Sequence, residues 1–249
     1  MADYYTLNWV PEDVNKVCYA TSFGIGKIPA KYEGDYSKFL SKINYLSARE
    51  ISGQEIIKHI IGKDVQQVCD PALLLDREGW DEVASERLVK EPYIFCYFMG
   101  DNPDQREFVK RLAKNTGCKV VALLHLDQYI PADEEYVDYA PYDVTPADFV
   151  SLVKHADYVC TDSFHGTVFS INYSRTFFTF KRFNKKASLN TNTRITSLLS
   201  TLGLESRLFE GSASVDGDIE IQGWEEIQER VSKFRAVSLT YLMNSIENK

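Results

Sequence analysis

The chain has 249 residues, of which 44% are hydrophobic and 26% charged, and its formal net charge is −8. This composition predicts a globular protein with a sizeable core, and it argues against nucleic-acid binding, which depends on an excess of Lys and Arg. No stretch approaches ~18 consecutive apolar residues, so no transmembrane segment is expected. The N-terminus lacks the basic and apolar regions of a signal peptide. We therefore expect a cytoplasmic protein, and we leave its oligomeric state and any peripheral association with a membrane open.

Five cysteines occur without any CxxC spacing. An odd number at such spacings fits neither a disulfide framework nor a zinc site. We expect reduced, mostly buried thiols. We also expect no metal ion, because no cluster of side chains has metal-ligand spacing, and we expect no cofactor.

Seven short apolar runs are predicted to be strands buried on both faces, as in parallel sheets, because their apolar residues are continuous rather than alternating. They are Lys16–Gly24, Ile43–Ala48, Val65–Cys69, Tyr93–Met99, Lys119–His125, Asp157–Thr161 and Thr176–Phe180.

Helical patterns lie between these runs. Asn102 and Thr145 each precede a proline at the first position of a predicted helix, which is a common start signal, and Gly117 is typical of a helix end. Further helices are predicted over 50–61, 192–203 and, as a long amphipathic C-terminal helix, over 224–246. The alternation of strands and helices predicts an open α/β fold. The segment Ser85–Pro92 marks a boundary, so we expect a partial N-terminal lobe at 1–87, a second lobe at 88–212, and the C-terminal helix within 213–249.

The stretch VCTDSFHGTVFSI places a small polar cluster between a predicted strand and a predicted helix. In open α/β sheets, ligands bind beyond the carboxyl ends of the strands. Gly166 would let the backbone approach a ligand, Ser163 and Thr167 would add hydroxyls, and His165 could hold an anion or act as a general acid or base. A capping role for Ser163 and a purely structural role for His165 are about as well supported by this pattern.

Two groups of cations are also candidates for binding an anion. Five follow the strand Thr176–Phe180, namely Lys181, Arg182, Lys185, Lys186 and Arg194. Arg49 follows a strand of the first lobe, and an arginine suits carboxylate and phosphate groups. A solvated loop explains the five cations, and an ion pair with Glu50 or Glu55 explains Arg49, about equally well.

Several segments together resemble the polysaccharide pyruvyl transferase family. ADYVCTDSFHGTVFSINYSRTFFTF is similar to its histidine-glycine segment, and four further segments resemble others in the expected order: CYATSFG, LSAREISG, VCDPALLLD and NTRITSLLSTLGLESR. The resemblance implies two Rossmann-like lobes in a GT-B-like arrangement, with mostly parallel sheets and an incomplete N-terminal lobe. It also implies transfer of the pyruvyl group of phosphoenolpyruvate onto hydroxyls of a surface polysaccharide or its precursor, forming a ketal.

The resemblance gives roles to individual residues. His165 and Gly166 match its donor-site motif, with the donor site in the second lobe, and Arg49 matches a basic residue facing that motif. Asn192 and Arg194 match a recurrent segment of unassigned role. Many members have a basic residue where this chain has Ser163, and many begin further upstream. We therefore keep two alternatives. One is a GT-B glycosyltransferase that uses a nucleotide sugar, and the other is a truncated, non-catalytic remnant that binds an anionic sugar or a partner protein.

Overall fold

Two parallel β-sheets organise the chain in the computed structural model, which describes residues 6–126, 128–182, 192–209 and 219–247. The described residues fall into two compact units. The first contains residues 6–74, 192–198 and 230–247, and the second contains 75–182, 199–209 and 219–229. Parallel sheets covered by helices confirm the predicted α/β fold class.

The first unit is built on a three-stranded parallel sheet with the order β1-β2-β3. Its core includes Leu40, Ile43, Leu46 and Ile57, which are all buried. The strands are β1 (Val17–Thr21), β2 (Tyr45–Ala48) and β3 (Gln66–Gln67), and the helices that precede and follow β2 are α1 (Ala30–Ser41) and α2 (Ile51–Ile61).

The second unit is built on a five-stranded parallel sheet with the order β5-β4-β6-β7-β8. Its strands are β4 (Tyr93–Tyr97), β5 (Lys119–Leu123), β6 (Tyr158–Thr161), β7 (Thr176–Phe180) and β8 (Leu208–Phe209). Four helices lie within it: α3 (Arg77–Asp81), α4 (Pro103–Thr116), α5 (Pro146–His155) and α6 (Phe164–Asn172). Two more, α7 (Thr193–Leu202) and α8 (Trp224–Glu247), have residues in both units.

The helix ends follow the capping signals of the sequence. Asn102 Oδ1 accepts a hydrogen bond from Asp104 N at the start of α4, and Thr145 and Asp148 form a capping box at the start of α5. Gly117 ends α4 at φ 72°, a conformation that favours glycine. These local interactions explain why both helices begin where the sequence predicts. Among the described residues, no helix combines the length and apolarity needed to cross a bilayer.

All five cysteines are free thiols, and three of them are buried. Cys96 and Cys160 lie opposite each other on β4 and β6. Burial raises the pKa of the Cys96 thiol, so the thiol form is favoured there and reactivity is suppressed. The prediction of mostly buried thiols agrees with the burial of Cys69, Cys96 and Cys160.

Candidate functional site

The turn from β6 into α6 is held in shape by a short network around Thr161. Its Oγ1 donates a hydrogen bond to Tyr97 O (2.6 Å) and accepts one from Ser163 N (3.0 Å). Ser163 is the N-cap of α6, and its Oγ accepts a bond from Gly166 N (3.4 Å). A Cβ on Gly166 would lie only 2.5 Å from Thr161 Oγ1. Glycine is therefore needed here for the close approach of helix and strand.

Asp162 joins the carboxyl ends of neighbouring strands. Its buried carboxylate accepts hydrogen bonds from Met99 N (2.7 Å) and Gly100 N (3.0 Å), both beyond the end of β4. Arg182, which follows β7, places its Nε 3.7 Å from Asp162 Oδ1 and donates from Nη2 to Asp162 O at 3.3 Å. Burial raises the pKa of Asp162, and the backbone N–H of Met99 and the Arg182 charge partly oppose this shift. Asp162 therefore connects the loops after β4, β6 and β7 through hydrogen bonds and an ion pair.

His165 is the only exposed residue between Val159 and Tyr173, where all the other residues are buried. It occupies the second position of α6, and its ring lies edge-on to Phe164 at a centroid distance of 5.5 Å. The N-terminal end of a helix carries a partial positive charge that favours anions. The turn therefore presents one imidazole at the surface of an otherwise buried segment.

The remaining candidates in the second unit differ in their surroundings. Thr167 is buried, where its hydroxyl donates to Ser163 O (3.1 Å) and contacts Thr179 Oγ1 (2.9 Å). The side chains of Lys181 and Arg182 follow β7 and are half-buried, and Lys181 O accepts a bond from Gln105 Nε2 (3.2 Å). Thr167 thus supports the turn from inside, whereas Arg182 lies beside it.

Arg49 of the first unit is held by two carboxylates. It comes directly after β2, its Nη1 is paired with Asp70 Oδ2, and its Nε lies 3.7 Å from Glu50 Oε2. Asp70 and Glu50 are both buried. The alternative interpretation of Arg49, an ion pair with Glu50, is present in the structure, but the shorter contact is with Asp70, 21 residues along the chain. The Arg49 charge is therefore already balanced within its own unit.

Glu50 also fixes the loop that follows β1. Its Oε1 accepts hydrogen bonds from Ser22 Oγ (2.9 Å), Phe23 N (3.0 Å) and Gly24 N (3.1 Å). Backbone N–H groups of a glycine-containing loop can bind an external anion, but here those of Phe23 and Gly24 bind an internal carboxylate. This role of Glu50 could not be recognised in the sequence, because the partners lie 26 to 28 residues apart.

The segment after β7 is described only in part. Lys185 and Lys186 lie outside the described residues. Asn192 is buried, and its carbonyl oxygen accepts the N–H of Thr196 at 3.0 Å near the start of α7. Arg194 is half-buried within α7. In the same helix, Ser197 Oγ accepts a bond from Ile51 N (3.1 Å) at the start of α2.

A buried charged network that the sequence reasoning missed lies next to the end of β5. The Nδ1 atom of His125 is 3.3 Å from Asp133 Oδ2, and Arg106 Nε is 2.8 Å from Asp133 Oδ1. The only signal was the position of His125 at the end of a predicted strand. Asp127, its nearest acidic neighbour in sequence, lies outside the described residues. No group of His, Cys, Asp and Glu side chains that could hold a metal ion occurs in the described part of the chain.

Comparison of the sequence with protein-family models gives a match to polysaccharide pyruvyl transferase over residues 1–182. This range confirms the resemblance and includes Arg49, the turn after β6 and Arg182. Asn192 and Arg194 lie beyond it. Comparison with curated protein sequences gives no match.

Comparison with solved structures gives distant similarities. The UDP-GlcNAc 2-epimerase from Methanocaldococcus jannaschii is 10% identical with a TM-score of 0.48, covering 78% of this chain and 56% of that one. The UDP-GlcNAc-bound 2-epimerase from Neisseria meningitidis is 12% identical with a TM-score of 0.45, covering 87% and 59%. The wall teichoic acid polymerase TagF is 14% identical with a TM-score of 0.41, covering 92% and 65%. The chain thus spans less than two thirds of the length of each of these proteins.

Proposed function

Because the chain belongs to the polysaccharide pyruvyl transferase family, we propose that it transfers the pyruvyl group of phosphoenolpyruvate to a saccharide. The acceptor would be a surface polysaccharide or its precursor, and the product a ketal formed with two sugar hydroxyls. In this proposal the donor binds at the turn between β6 and α6.

The exposure of His165 is the observation that carries the proposal. From Val159 to Tyr173 every other residue is buried, and Ser163, Gly166 and Thr167 are all engaged in forming the turn. A polar residue is common at an exposed position, but His165 lies in the first turn of a helix that begins at the carboxyl edge of the sheet, where ligands of open α/β proteins bind. The arrangement suits a rigid turn that holds one functional side chain at the surface.

The charges near this turn suit a donor with a phosphate and a carboxylate. The start of α6 contributes the positive end of a helix, and Arg182 lies beside Asp162 at the end of β7. Hydrogen bonds from charged donors to such anions are stronger than neutral ones. Lys181 belongs to the same proposed set, and Ser163 and Gly166 contribute by fixing the backbone.

The chemistry can be balanced with groups of this kind. Protonation of the methylene carbon of phosphoenolpyruvate leaves a cationic centre at the adjacent carbon, which one sugar hydroxyl attacks. Phosphate leaves when its C–O bond breaks, and a second hydroxyl closes the ketal. Of the two hydroxyl protons, one in effect ends on the new methyl group and the other on phosphate. His165 could supply the first proton or hold the phosphate.

Arg49 is included in the proposed donor site on the basis of the family resemblance. Its ion pairs with Asp70 and Glu50 orient the guanidinium, and an arginine has five N–H donors, enough to bind an anion as well. Asn192 and Arg194 are proposed to take part in substrate binding, without an assigned role.

Incubation with phosphoenolpyruvate labelled with ¹³C at its central carbon tests the proposal. With a panel of oligosaccharides, NMR should show a ketal carbon and an equal amount of released phosphate. Nucleotide sugars, given as alternative donors, should yield no product. Release of nucleotide without any ketal would instead support a glycosyltransferase.

A pair of variants separates the two roles of His165. His165→Gln retains a hydrogen-bonding side chain without a titrating proton, whereas His165→Ala removes both. If the imidazole moves a proton, both variants should lose turnover, and only His165→Ala should also bind the donor weakly. Similar turnover of bound donor in His165→Gln and the parent would assign His165 to phosphate binding.

A further inference from the structure

A pocket lies at the carboxyl edge of the sheet in the second unit, and two of its lining residues, Tyr97 and Met99, are hydrogen-bonded to Thr161 and Asp162 at the turn after β6. It has a volume of about 480 Å³ and is lined by residues at and just after the ends of β4 and β5 and by residues of the segment 140–149 that leads into α5. Its walls include the aromatic rings of Tyr97, Phe98, Tyr142 and Phe149. The described residues that line it include no Lys, Arg, Asp or Glu. The pocket therefore suits an uncharged ligand, and not phosphoenolpyruvate.

One strongly polar ring lines this apolar pocket. The His125 side chain is 9% exposed, and its Nδ1 faces the Asp133 carboxylate at 3.3 Å. A carboxylate only accepts hydrogen bonds, so in the neutral imidazole Nδ1 carries the proton and Nε2 presents a lone pair. Nε2 is buried and makes no hydrogen bond within the described residues.

Asp133 itself is fixed by a buried arginine. Arg106 donates from Nε to Asp133 Oδ1 (2.8 Å) and from Nη1 to Asn102 O (3.2 Å), and its guanidinium stacks over the Phe98 ring at 4.9 Å. Phe98 is also a wall of the pocket. The imidazole orientation is thus set by a chain of three side chains, as expected of a preorganised binding group.

We propose that this pocket binds a neutral saccharide ring, and that the side chains around His125 shift on binding so that Nε2, which is buried in this structure, accepts a hydrogen bond from one of the sugar hydroxyls. An acceptor nitrogen calls for a ligand that donates, and a buried acceptor left unsatisfied is unfavourable. The apolar face of a sugar ring suits the aromatic walls, and the absence of charged lining suits its neutrality. Tyr142, which also lines the pocket and is 83% exposed, offers a further aromatic face to the ring.

The position of the pocket indicates which part of a saccharide it takes. β4 lies between β5 and β6 in the sheet, so a pocket lined by residues after β4 and β5 extends from about 5 Å to about 10 Å from β6, one to two strand spacings. The pocket would therefore hold a sugar unit next to the one that reacts near His165. The assignment of the pocket as an acceptor subsite rests on the proposed function. The proposal that the pocket binds a sugar rests only on its lining and on His125.

The test is a titration of ¹⁵N-histidine-labelled full chain with methyl glycosides of glucose, galactose, mannose and N-acetylglucosamine, without phosphoenolpyruvate. At least one glycoside should shift the His125 Nε2 resonance, identified by its loss in His125→Phe. The resonance of His59, which is exposed in the first unit, should not move. Tyr142→Ala and His125→Phe should each weaken glycoside binding about three- to tenfold.

Tyr129→Ala is the matched control, because Tyr129 is 72% exposed and does not line the pocket. It should bind the glycoside as the parent does, and Tyr142→Ala covers the case in which His125→Phe does not fold.

Uridine, cytidine and octanol are titrated as ligands that are not glycosides of a simple sugar. No shift of the His125 resonance with any glycoside, or a shift only with one of these three compounds, would overturn the inference. If phosphoenolpyruvate binds but no glycoside does, only this inference fails. If a glycoside shifts His125 but phosphoenolpyruvate does not bind, the sugar site stands and the proposed transfer fails.

Discussion

Gly166 and Thr161 approach so closely that a Cβ on Gly166 would lie 2.5 Å from Thr161 Oγ1 and 3.0 Å from Thr161 Cβ. Thr161 cannot give way easily, because its Oγ1 is bonded to Tyr97 O and Ser163 N. Gly166→Ala should therefore lower the free energy of unfolding of the second unit by about 2 kcal/mol, the typical cost of overpacking. Urea unfolding followed by fluorescence measures this change.

Gly34→Ala is the matched control for that experiment. Gly34 also lies in a helix, but no atom outside its own turn of the helix would come within 4 Å of an added methyl group. Alanine has the higher helix propensity, so this change should be neutral or stabilising. Equal unfolding midpoints for the Gly166→Ala variant and the parent would show that the turn can relax.

Asp162 should make the stability of the protein depend on pH in an unusual direction. Burial raises its pKa in the folded state above the usual value near 3.8, so the folded state holds this proton more tightly than the unfolded state. The contribution of Asp162 to stability is therefore greatest below about pH 3.9 and falls as the pH rises through the raised pKa. Urea unfolding of the parent and Asp162→Asn between pH 4 and 7 should show the advantage of the parent shrinking as the pH rises. An advantage that grows with pH would mean that the pKa is lowered instead.

Arg49→Ala should destabilise the first unit, apart from any effect on the donor. The change leaves the buried carboxylates of Asp70 and Glu50 without their cation, at a cost of about 3 kcal/mol. Lys58→Ala, which breaks the exposed pair with Asp64, should change the free energy of unfolding by less than about 0.5 kcal/mol. Unchanged unfolding midpoints for Arg49→Ala would contradict a structural role. Donor binding by this variant is to be compared only where circular dichroism shows it folded.

The ion pair of Arg49 illustrates what could and could not be predicted from the sequence. Strands and capped helices follow from local patterns, so β4 to β7, α4 and α5 are close to their predicted positions. Asp70 is far from Arg49 in sequence, and only the pairing of β2 with β3 brings their flanking residues together. β8 was missed because it has two residues and is defined by its pairing with β7.

In the candidate sites too, local features could be predicted from the sequence, whereas contacts between residues outside one local pattern could not. The position of Ser163, His165 and Gly166 at a strand-to-helix turn was predicted from composition and order, because a turn is a local structure. The pairing of His125 with Asp133 depends on the short 3₁₀ helix Pro131–Asp133 folding back toward β5, which no short-range pattern indicates. Helix α1 was also missed, since it has no side-chain cap at its start and contains a glycine.

Binding of phosphoenolpyruvate should weaken as salt is added. The proposed donor contacts are between charges at the protein surface, and these are screened within about 8 Å at 0.15 M ionic strength. The dissociation constant measured by calorimetry should rise several-fold between 0.05 and 0.5 M potassium chloride. Binding of a neutral glycoside, measured over the same range, is the control and should hardly change. A constant affinity for phosphoenolpyruvate would argue against a site built on His165 and Arg182.

The most direct measurement for the proposed function is the affinity of the parent and His165→Ala for phosphoenolpyruvate, by calorimetry at low salt. His165 is exposed, so the variant should fold normally, and His59→Ala serves as an exposed-histidine control. One charge-assisted hydrogen bond is worth about 1.5–3 kcal/mol, so His165→Ala should bind about ten- to a hundredfold more weakly, with His59→Ala unchanged. Equal affinity of His165→Ala and the parent, or no binding by the parent, would contradict a donor site at this turn.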